Sequence, residues 1–169
     1  MTPAYRVRPI IWTLSLSKPR NTLLAGLGNP IMTDEGVGVC VVETIKQRYD
    51  LSGNVEVMDL GTGNMNVLHA IAGRQKVVFV DCALMGESPG TIRRFSLDDV
   101  VSKKIQSHWS AHDGDLLNLL NISKSLGELP EEIVLFGIEP QTIEFGEQLT
   151  PCLQEHMEEY IVKVAAAIV

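Results

Sequence analysis

The side chains best suited to chemistry are acids and one histidine that follow predicted strands or open a predicted helix. Asp34 and Glu35 come directly after the first strand, Asp59 and Asp81 end the second and third, and His112 opens a later helix. Two carboxylates and one imidazole would suit zinc, nickel, iron or manganese and leave open coordination positions. These donor types do not select one metal.

The residues around His112 favour a neutral imidazole. Ser110 and Asp113 have the spacing of a capping box, which places His112 in the first turn of a helix. The helix dipole disfavours a charged imidazolium there, and a metal binds the neutral ring. We expect solvated or core positions for the other three histidines, His69, His108 and His156.

The acidic pair after the first strand also has a simpler explanation. Thr33 would cap the next helix, and Asp34 and Glu35 would then complement the helix dipole. The sequence GLGNPIMTDEGVG at 26–38 invites a dinucleotide-binding interpretation too, but Ile31 stands where the third glycine of that motif belongs. Two carboxylates at a helix start would repel a pyrophosphate. The capping and metal-binding roles both stay open at this point.

Hydrophobic patterning predicts a single α/β domain that would position these groups. Predicted strands cover 23–27, 55–60, 76–84, 91–95 and 132–138, and predicted helices cover 37–49, 65–72, 111–126 and 151–168. Such alternation predicts a three-layer α/β/α domain with a mostly parallel sheet and helices on both faces. Ligands bind at the carboxyl edge of such sheets, which is where the acids and His112 fall.

Composition limits the classes of partner. The chain has 169 residues, 45% of them hydrophobic and 21% charged, which suits one globular domain. Its net charge of −7 and 5% aromatic content argue against nucleic acid and anionic membranes as partners. No apolar run approaches the roughly 20 residues of a membrane helix.

The cysteines point to a cytoplasmic protein without disulfides. Cys40, Cys82 and Cys152 are odd in number and form no C-x-x-C motif, which argues against a disulfide framework or a zinc finger. Neighbouring strand residues face opposite sides, so Cys82 is expected in the core rather than beside Asp81 in a site.

The amino-terminal residues differ in charge from the rest. Residues 1–33 contain four cations and no acid, whereas the remainder has ten cations against 21 acids. We interpret 1–21 as an appendage, either an edge strand or a disordered segment, to a domain at 22–169. Its apolar stretch is only about seven residues long and lacks a small-residue cleavage site, so we expect it to be retained.

Five segments, in this order, resemble the hydrogenase maturation endopeptidases, which remove a carboxy-terminal extension from the large subunit of nickel-iron hydrogenases. The segments are GLGNPIMTDEGVG, DLGTGNM, VDCALMGESPGT, the S-x-H of SAH, and FGIEPQTIEFGEQLTP. The resemblance implies a twisted five-stranded sheet with one antiparallel strand, at 91–95. It also implies a hydrolase grouped with the aspartic-type peptidases, and it favours a monomer.

The resemblance further implies that Glu35, Asp81 and His112 bind nickel and assist catalysis. The nickel would be carried by the hydrogenase large-subunit precursor, and zinc or cadmium would also fit the site. Water would then hydrolyse the peptide bond, with Asp34 or Asp59 as the general base.

Three alternatives accompany this interpretation. A non-catalytic nickel-binding maturation chaperone would bind metal and precursor without cleavage, a flavodoxin-like or dinucleotide-binding module would bind nucleotides, and a relative of the spore germination protease would cleave another substrate. The chain has neither the G-x-S-x-G motif of a serine hydrolase nor the H-E-x-x-H motif of a zinc protease.

Overall fold

A computed structural model describes residues 21–51, 53–101 and 113–168, which include a five-stranded sheet. The strands are β1 (Thr22–Gly26), β2 (Val55–Asp59), β3 (Lys76–Cys82), β4 (Ile92–Ser96) and β5 (Glu132–Ile138). Their order is β2-β1-β3-β5-β4, and only β4 runs antiparallel. The predicted mostly parallel sheet, including its antiparallel strand, is confirmed.

Helices flank the sheet on both sides. They are α1 (Val37–Arg48), α2 (Asn66–Ile71), α3 (Leu97–Val101), α4 (Asp113–Leu126), α5 (Pro151–Glu155) and α6 (Met157–Ile168). In the described residues, no helix combines the length and the apolar character that crossing a membrane requires.

Two hydrophobic cores lie on opposite faces of the sheet. All five residues of β1 are buried, as expected of a central strand covered on both faces. Along β3, Val78 and Val80 belong to the first core, under α1 and α6, while Val77 and Phe79 belong to the second, under α2 and α4. This alternation places Asp81 on the side of the second core and Cys82 in the first core.

The order of the strands fixes where a ligand would bind. The chain steps from β1 outward to β2 and then returns to place β3 on the other side of β1. The loops after β1 and β3 therefore diverge at the carboxyl edge, and this divergence is the usual position of a binding crevice in such sheets.

Two helical predictions need correction. The predicted continuous helix at 151–168 is broken at His156, whose Nδ1 lies 2.8 Å from the Cys152 carbonyl oxygen. An imidazole at that oxygen competes with the helical N–H that would otherwise donate there. The second correction is α3, which lies in a stretch where the sequence analysis predicted no helix. Its signal is the Ser96-x-x-Asp99 capping box, in which the Asp99 carboxylate accepts from the Ser96 amide at 2.9 Å.

Residues 1–20 and 102–112 lie outside the described residues. The prediction for the amino-terminal appendage at 1–21 therefore stays a prediction, as does the start of the predicted helix at 111. His108 and His112 fall in the second of these ranges.

Candidate active site

The chain leaves β1 through a tight turn that packs against β3. The Leu27 amide donates to the Val80 carbonyl at 2.8 Å, and the Gly28 amide donates to the Gly61 carbonyl at 2.8 Å. Residues Thr33–Gly36 then form one turn of 3-10 helix, and α1 begins only at Val37. Asp34 and Glu35 therefore precede α1 instead of occupying its first turn.

Thr33 does not cap a helix. Its φ of 42° lies in the left-handed region, which is rare for a β-branched residue. Its hydroxyl donates to the Thr142 carbonyl at 2.8 Å and accepts from the Glu144 amide at 3.1 Å. Thr33 thus links the turn after β1 to the loop after β5.

The glycines of the first motif serve close packing. A Cβ on Gly28, whose φ is 121°, would collide with the backbone of Glu35. A Cβ on Gly38 would collide with the Val80 and Leu27 carbonyl oxygens. These positions need glycine because two backbone segments touch there, and no bound phosphate is needed to explain them.

Asp34 is fully buried and accepts four hydrogen bonds. Its Oδ2 receives the amides of Gln141 at 2.9 Å and Thr142 at 3.1 Å, and the Thr150 hydroxyl at 2.9 Å. Its Oδ1 receives the Thr150 amide at 2.7 Å. Asp34 therefore fastens both ends of the loop after β5 to the turn after β1.

Glu35 and Asp81 lie in one electrostatic neighbourhood. Burial and then the negative charges of Asp81, Glu35, Asp34 and Glu139 raise the pKa of the Cys82 thiol far above its ordinary value. Asp81 is 3% exposed and Glu35 is partly exposed. The segments that carry these two predicted ligands meet at the carboxyl edge, because the backbone at Gly38 lies directly against the Val80 carbonyl oxygen that precedes Asp81.

The Asp81 carboxylate is oriented by the backbone at the end of β3. Its Oδ1 accepts the Cys82 amide at 2.8 Å, and its backbone pairs with Gly137 of β5. A carboxylate that accepts the amide of the next residue has few rotamers available. A group of this kind is already arranged before a cation arrives.

Asp59 reaches the same edge but sits apart from Asp81. It is exposed, and its Oδ1 accepts the Gly61 amide at 2.8 Å in the turn after β2. Asp59 pairs with Gly26, which in turn pairs with Val80, so two strand spacings, roughly 9–10 Å, separate Asp59 from β3. The structure therefore does not place Asp59 beside the pair formed by Glu35 and Asp81.

His112 lies outside the described residues, directly before α4. That helix packs on the second core through Leu116, Leu119 and Leu120, on the same side of the sheet as Asp81. Within the described ranges, no three His, Cys, Asp or Glu side chains are grouped closely enough to hold a metal. The predicted ligand trio stays a prediction, with two members described.

Sequence reasoning did not single out Glu139. It is 7% exposed, and its Oε2 accepts the amides of Met85 at 2.6 Å and Glu87 at 3.2 Å. Glu139 thereby holds the loop after β3 against the end of β5, as Asp34 holds the loop after β5. It follows a buried strand directly, so the rule that selected Asp81 would also have found it.

The cysteines and the described histidines fit structural roles. Cys82 is buried in the first core, and burial raises the pKa of the Cys40 thiol. His69 is exposed on α2, and His156 packs near Tyr160 with 6.3 Å between ring centroids. Of these four residues, only Cys82 adjoins Asp81, and its side chain lies in the first core.

Comparison with known proteins decides the family. The model of the family described as "Hydrogenase maturation protease" matches residues 39–168. The hydrogenase 2 maturation protease of Escherichia coli is 33% identical over 147 residues, covering 86% of this chain and 89% of that protein. The chain belongs to the hydrogenase maturation protease family. The resemblance predicted from the sequence motifs is confirmed.

Solved structures agree with this assignment. The hydrogenase maturating endopeptidase HybD from Escherichia coli superposes with a TM-score of 0.80 at 32% identity, covering 87% of this chain and 91% of that one. The hydrogenase maturation protease HybD from Thermococcus kodakarensis, at 21% identity, shares the fold with a TM-score of 0.75, covering 88% and 99%. As a member of this family, the chain is a hydrolase of the endopeptidase class. The nucleotide-binding and spore-protease alternatives lose their support.

Proposed function

We propose that this endopeptidase removes the carboxy-terminal extension of a nickel-iron hydrogenase large-subunit precursor, and only after the precursor has received its nickel. In this proposal Glu35, Asp81 and His112 complete the coordination of the nickel that the precursor carries. Nickel is thus part of the substrate. A precursor without nickel would lack the ion that these side chains recognise.

The observation that supports this proposal best is the shared neighbourhood of Glu35 and Asp81. The segment that carries Glu35 packs against the end of β3, where the backbone at Gly38 touches the Val80 carbonyl oxygen and Asp81 follows Val80. The negative charges of both carboxylates also contribute to the raised pKa of the Cys82 thiol. Carboxylate oxygens together with an imidazole nitrogen are a donor set that divalent metals such as nickel and zinc accept.

Hydrolysis requires water to add to the scissile carbonyl carbon, the C–N bond to break, and the leaving amine to take a proton. The nickel would polarise the carbonyl or the attacking water. Of the two carboxylates predicted as general base, Asp59 is exposed to water, whereas Asp34 is buried under four hydrogen bonds. We therefore propose a positioning role for Asp34. Asp59 lies two strand spacings from β3, so as a general base it would act through a bridging water.

The proposal also covers the setting of the reaction. One chain supplies Glu35, Asp81 and His112, so a monomer is sufficient. All three cysteines are free, which fits a reducing cytoplasm. Precursor proteins of hydrogenases are the partners that the names of the relatives suggest.

The test is to incubate the pure protein with nickel-loaded and with nickel-free precursor and to measure the mass of the large subunit. We expect a shortened subunit only from the loaded form. The variants Glu35→Gln, Asp81→Asn and His112→Ala should each reduce cleavage by at least about 100-fold, as expected when a metal ligand is lost.

Matched controls separate recognition of nickel from general damage. Glu43→Gln on α1 and His69→Ala on α2 change residues of the same types away from the site, Glu43 being partly exposed and His69 exposed, and both should retain the activity of the parent. Equal cleavage of the loaded and nickel-free precursors would contradict the dependence on nickel. Full activity of Glu35→Gln would contradict the ligand assignment.

A further inference from the structure

Exposed apolar side chains concentrate at the carboxyl edge of the sheet. Among the described residues, nine large apolar side chains are exposed, and five of them follow β1, β2, β3 or β5. These five are Ile31, Met65, Leu84, Ile143 and Phe145. Exposed apolar groups gathered on one face of a protein are typical of an interaction surface.

Three of these side chains lie on two loops that are paired with each other. Met32 forms a parallel bridge with Gly146, in which the Gly146 amide donates to the Ile31 carbonyl at 3.0 Å. This pairing brings Ile31 and Phe145 side by side. Phe145 is 82% exposed, the highest value among the large apolar residues described, and Ile143 lies two residues before it. We call Ile31, Ile143 and Phe145 the apolar platform.

The platform is held in a fixed arrangement. The Thr33 amide donates to the Gly146 carbonyl at 2.7 Å, and the Thr33 hydroxyl bonds to the backbone of Thr142 and Glu144. Asp34 fastens the same loop through its four hydrogen bonds. A partner that binds here would not need to order the loop first, and this favours affinity.

The platform is continuous with the candidate active site and is acidic. Ile31 is four residues from Glu35 in the same loop. The loop 139–150 contains three glutamates and the segment 28–38 contains two acids, and neither contains lysine or arginine. Glu144 and Glu147 flank Phe145 and are exposed. The chemistry of this surface therefore suits a segment with apolar side chains beside a cation.

We propose that the apolar platform binds the precursor polypeptide next to its cleavage site, through apolar side chains of the precursor flanked by lysine or arginine. This inference rests on the proposed function and adds the surface that holds the substrate. Phe145 is its central contact, because it is the most exposed of the large apolar side chains described and aromatic residues are enriched in interfaces.

The test compares cleavage of nickel-loaded precursor by Phe145→Ser, Phe145→Trp and the parent. Phe145→Ser should raise KM about 10-fold or more with kcat unchanged, since it removes binding and leaves the reacting groups in place. Phe145→Trp, which keeps an aromatic contact, should restore the KM of the parent. The matched control is Val162→Ser on α6, which alters a side chain that is 57% exposed elsewhere.

A second experiment tests whether the acidic residues of the platform contribute to binding of the precursor. Glu144→Lys combined with Glu147→Lys should weaken binding of the precursor, and the affinity of the parent should fall as salt is added. Glu128→Lys, an exposed change after α4, is the matched control and should have no effect.

If Phe145→Ser and Val162→Ser have the same KM, the apolar platform does not bind the precursor. The peptidase assignment would remain intact. If the parent cleaves neither form of the precursor, the proposed function fails, and the fluorescence of Phe145→Trp decides the platform separately. A blue shift of that fluorescence on adding precursor supports the platform. An unchanged spectrum rejects it.

Discussion

The two ends of the sheet use their charged residues differently. At the carboxyl end, Asp34 and Glu139 are buried and accept hydrogen bonds from backbone amides of neighbouring loops. At the amino end, charges meet in ion pairs, as in Arg74 with Glu56 at 2.8 Å and Lys76 with Glu132 at 3.4 Å.

This difference distinguishes the carboxyl end, which holds the candidate site, from the amino end, which has a structural role. An ion pair largely cancels the field of its two members, whereas a carboxylate held by neutral amides keeps its negative charge. The carboxyl end thereby gains fixed loops and a negative potential at the same place. Such an edge attracts a cation, whether a metal ion or a basic side chain. The amino end gains packing and ion pairing alone.

Glycine substitutions should show the largest contrast between the two ends. Gly28→Ala introduces a Cβ that collides with the backbone of Glu35 at a φ of 121°, and we expect a loss of about 3 kcal/mol or more in the free energy of unfolding. Gly53, before β2, has open space around its Cα, so Gly53→Ala should change stability by less than about 1 kcal/mol. Urea unfolding measures both, and comparable losses would contradict the contrast.

Removal of one negative charge at each end should give the next largest difference. Asp34→Asn turns an amide NH2 toward the N–H and O–H donors that now bind the carboxylate, and we expect a loss of about 3 kcal/mol. Glu132→Gln breaks a partly exposed ion pair and should lose about 0.5 kcal/mol or less. Equal losses in the free energy of unfolding of the two variants, measured in urea, would contradict the larger contribution to stability that we assign to Asp34.

The smallest predicted effect is a dependence of stability on alkaline pH. The pKa of the Cys82 thiol is raised by burial and by nearby carboxylates, so the folded protein keeps this proton above pH 9.0, where an ordinary thiol loses it. Stability should therefore be unaffected by this group at neutral pH and fall above pH 9. The slope would be up to about 1.4 kcal/mol per pH unit.

Tyr160, whose pKa burial also raises, should add to this fall above pH 10. The variant Cys82→Ala should have a shallower slope between pH 9 and 10 in thermal or urea unfolding. Identical slopes for this variant and the parent would mean that burial and the nearby carboxylates do not raise the pKa of the Cys82 thiol as described.

The sequence alone predicted the sheet and the edge at which a ligand would bind. Both predictions follow from clear hydrophobic patterns. The apolar run of β3 identifies a strand covered on both faces, and an acid directly after such a strand must lie at the carboxyl end. This reasoning singled out Asp81, and its role as a ligand, like that of Glu35, stays a prediction. Glu139 obeys the same rule and was missed because it was considered only as part of a motif.

Other features depend on contacts that no local pattern reveals. Asp34 accepts hydrogen bonds from residues more than 100 positions away in the chain. The sequence alone therefore could not distinguish its role in holding the loop after β5 from helix capping. Thr33 likewise bonds to a loop more than 100 residues away. The break at His156 coincides with a ring nitrogen that competes for the Cys152 carbonyl oxygen. The sequence does not predict the pairing of Ile31 with Phe145 either, because these residues are also far apart in the chain.

The most direct test of the account is to locate nickel in a complex of this protein with nickel-loaded precursor, by anomalous diffraction at the nickel absorption edge. We predict one nickel peak that lies about 2.0–2.2 Å from carboxylate oxygens of Glu35 and Asp81 and from a ring nitrogen of His112. This is the distance range of oxygen and nitrogen ligands at protein zinc sites. A nickel bound by the precursor alone, with these three side chains turned away, would contradict the account.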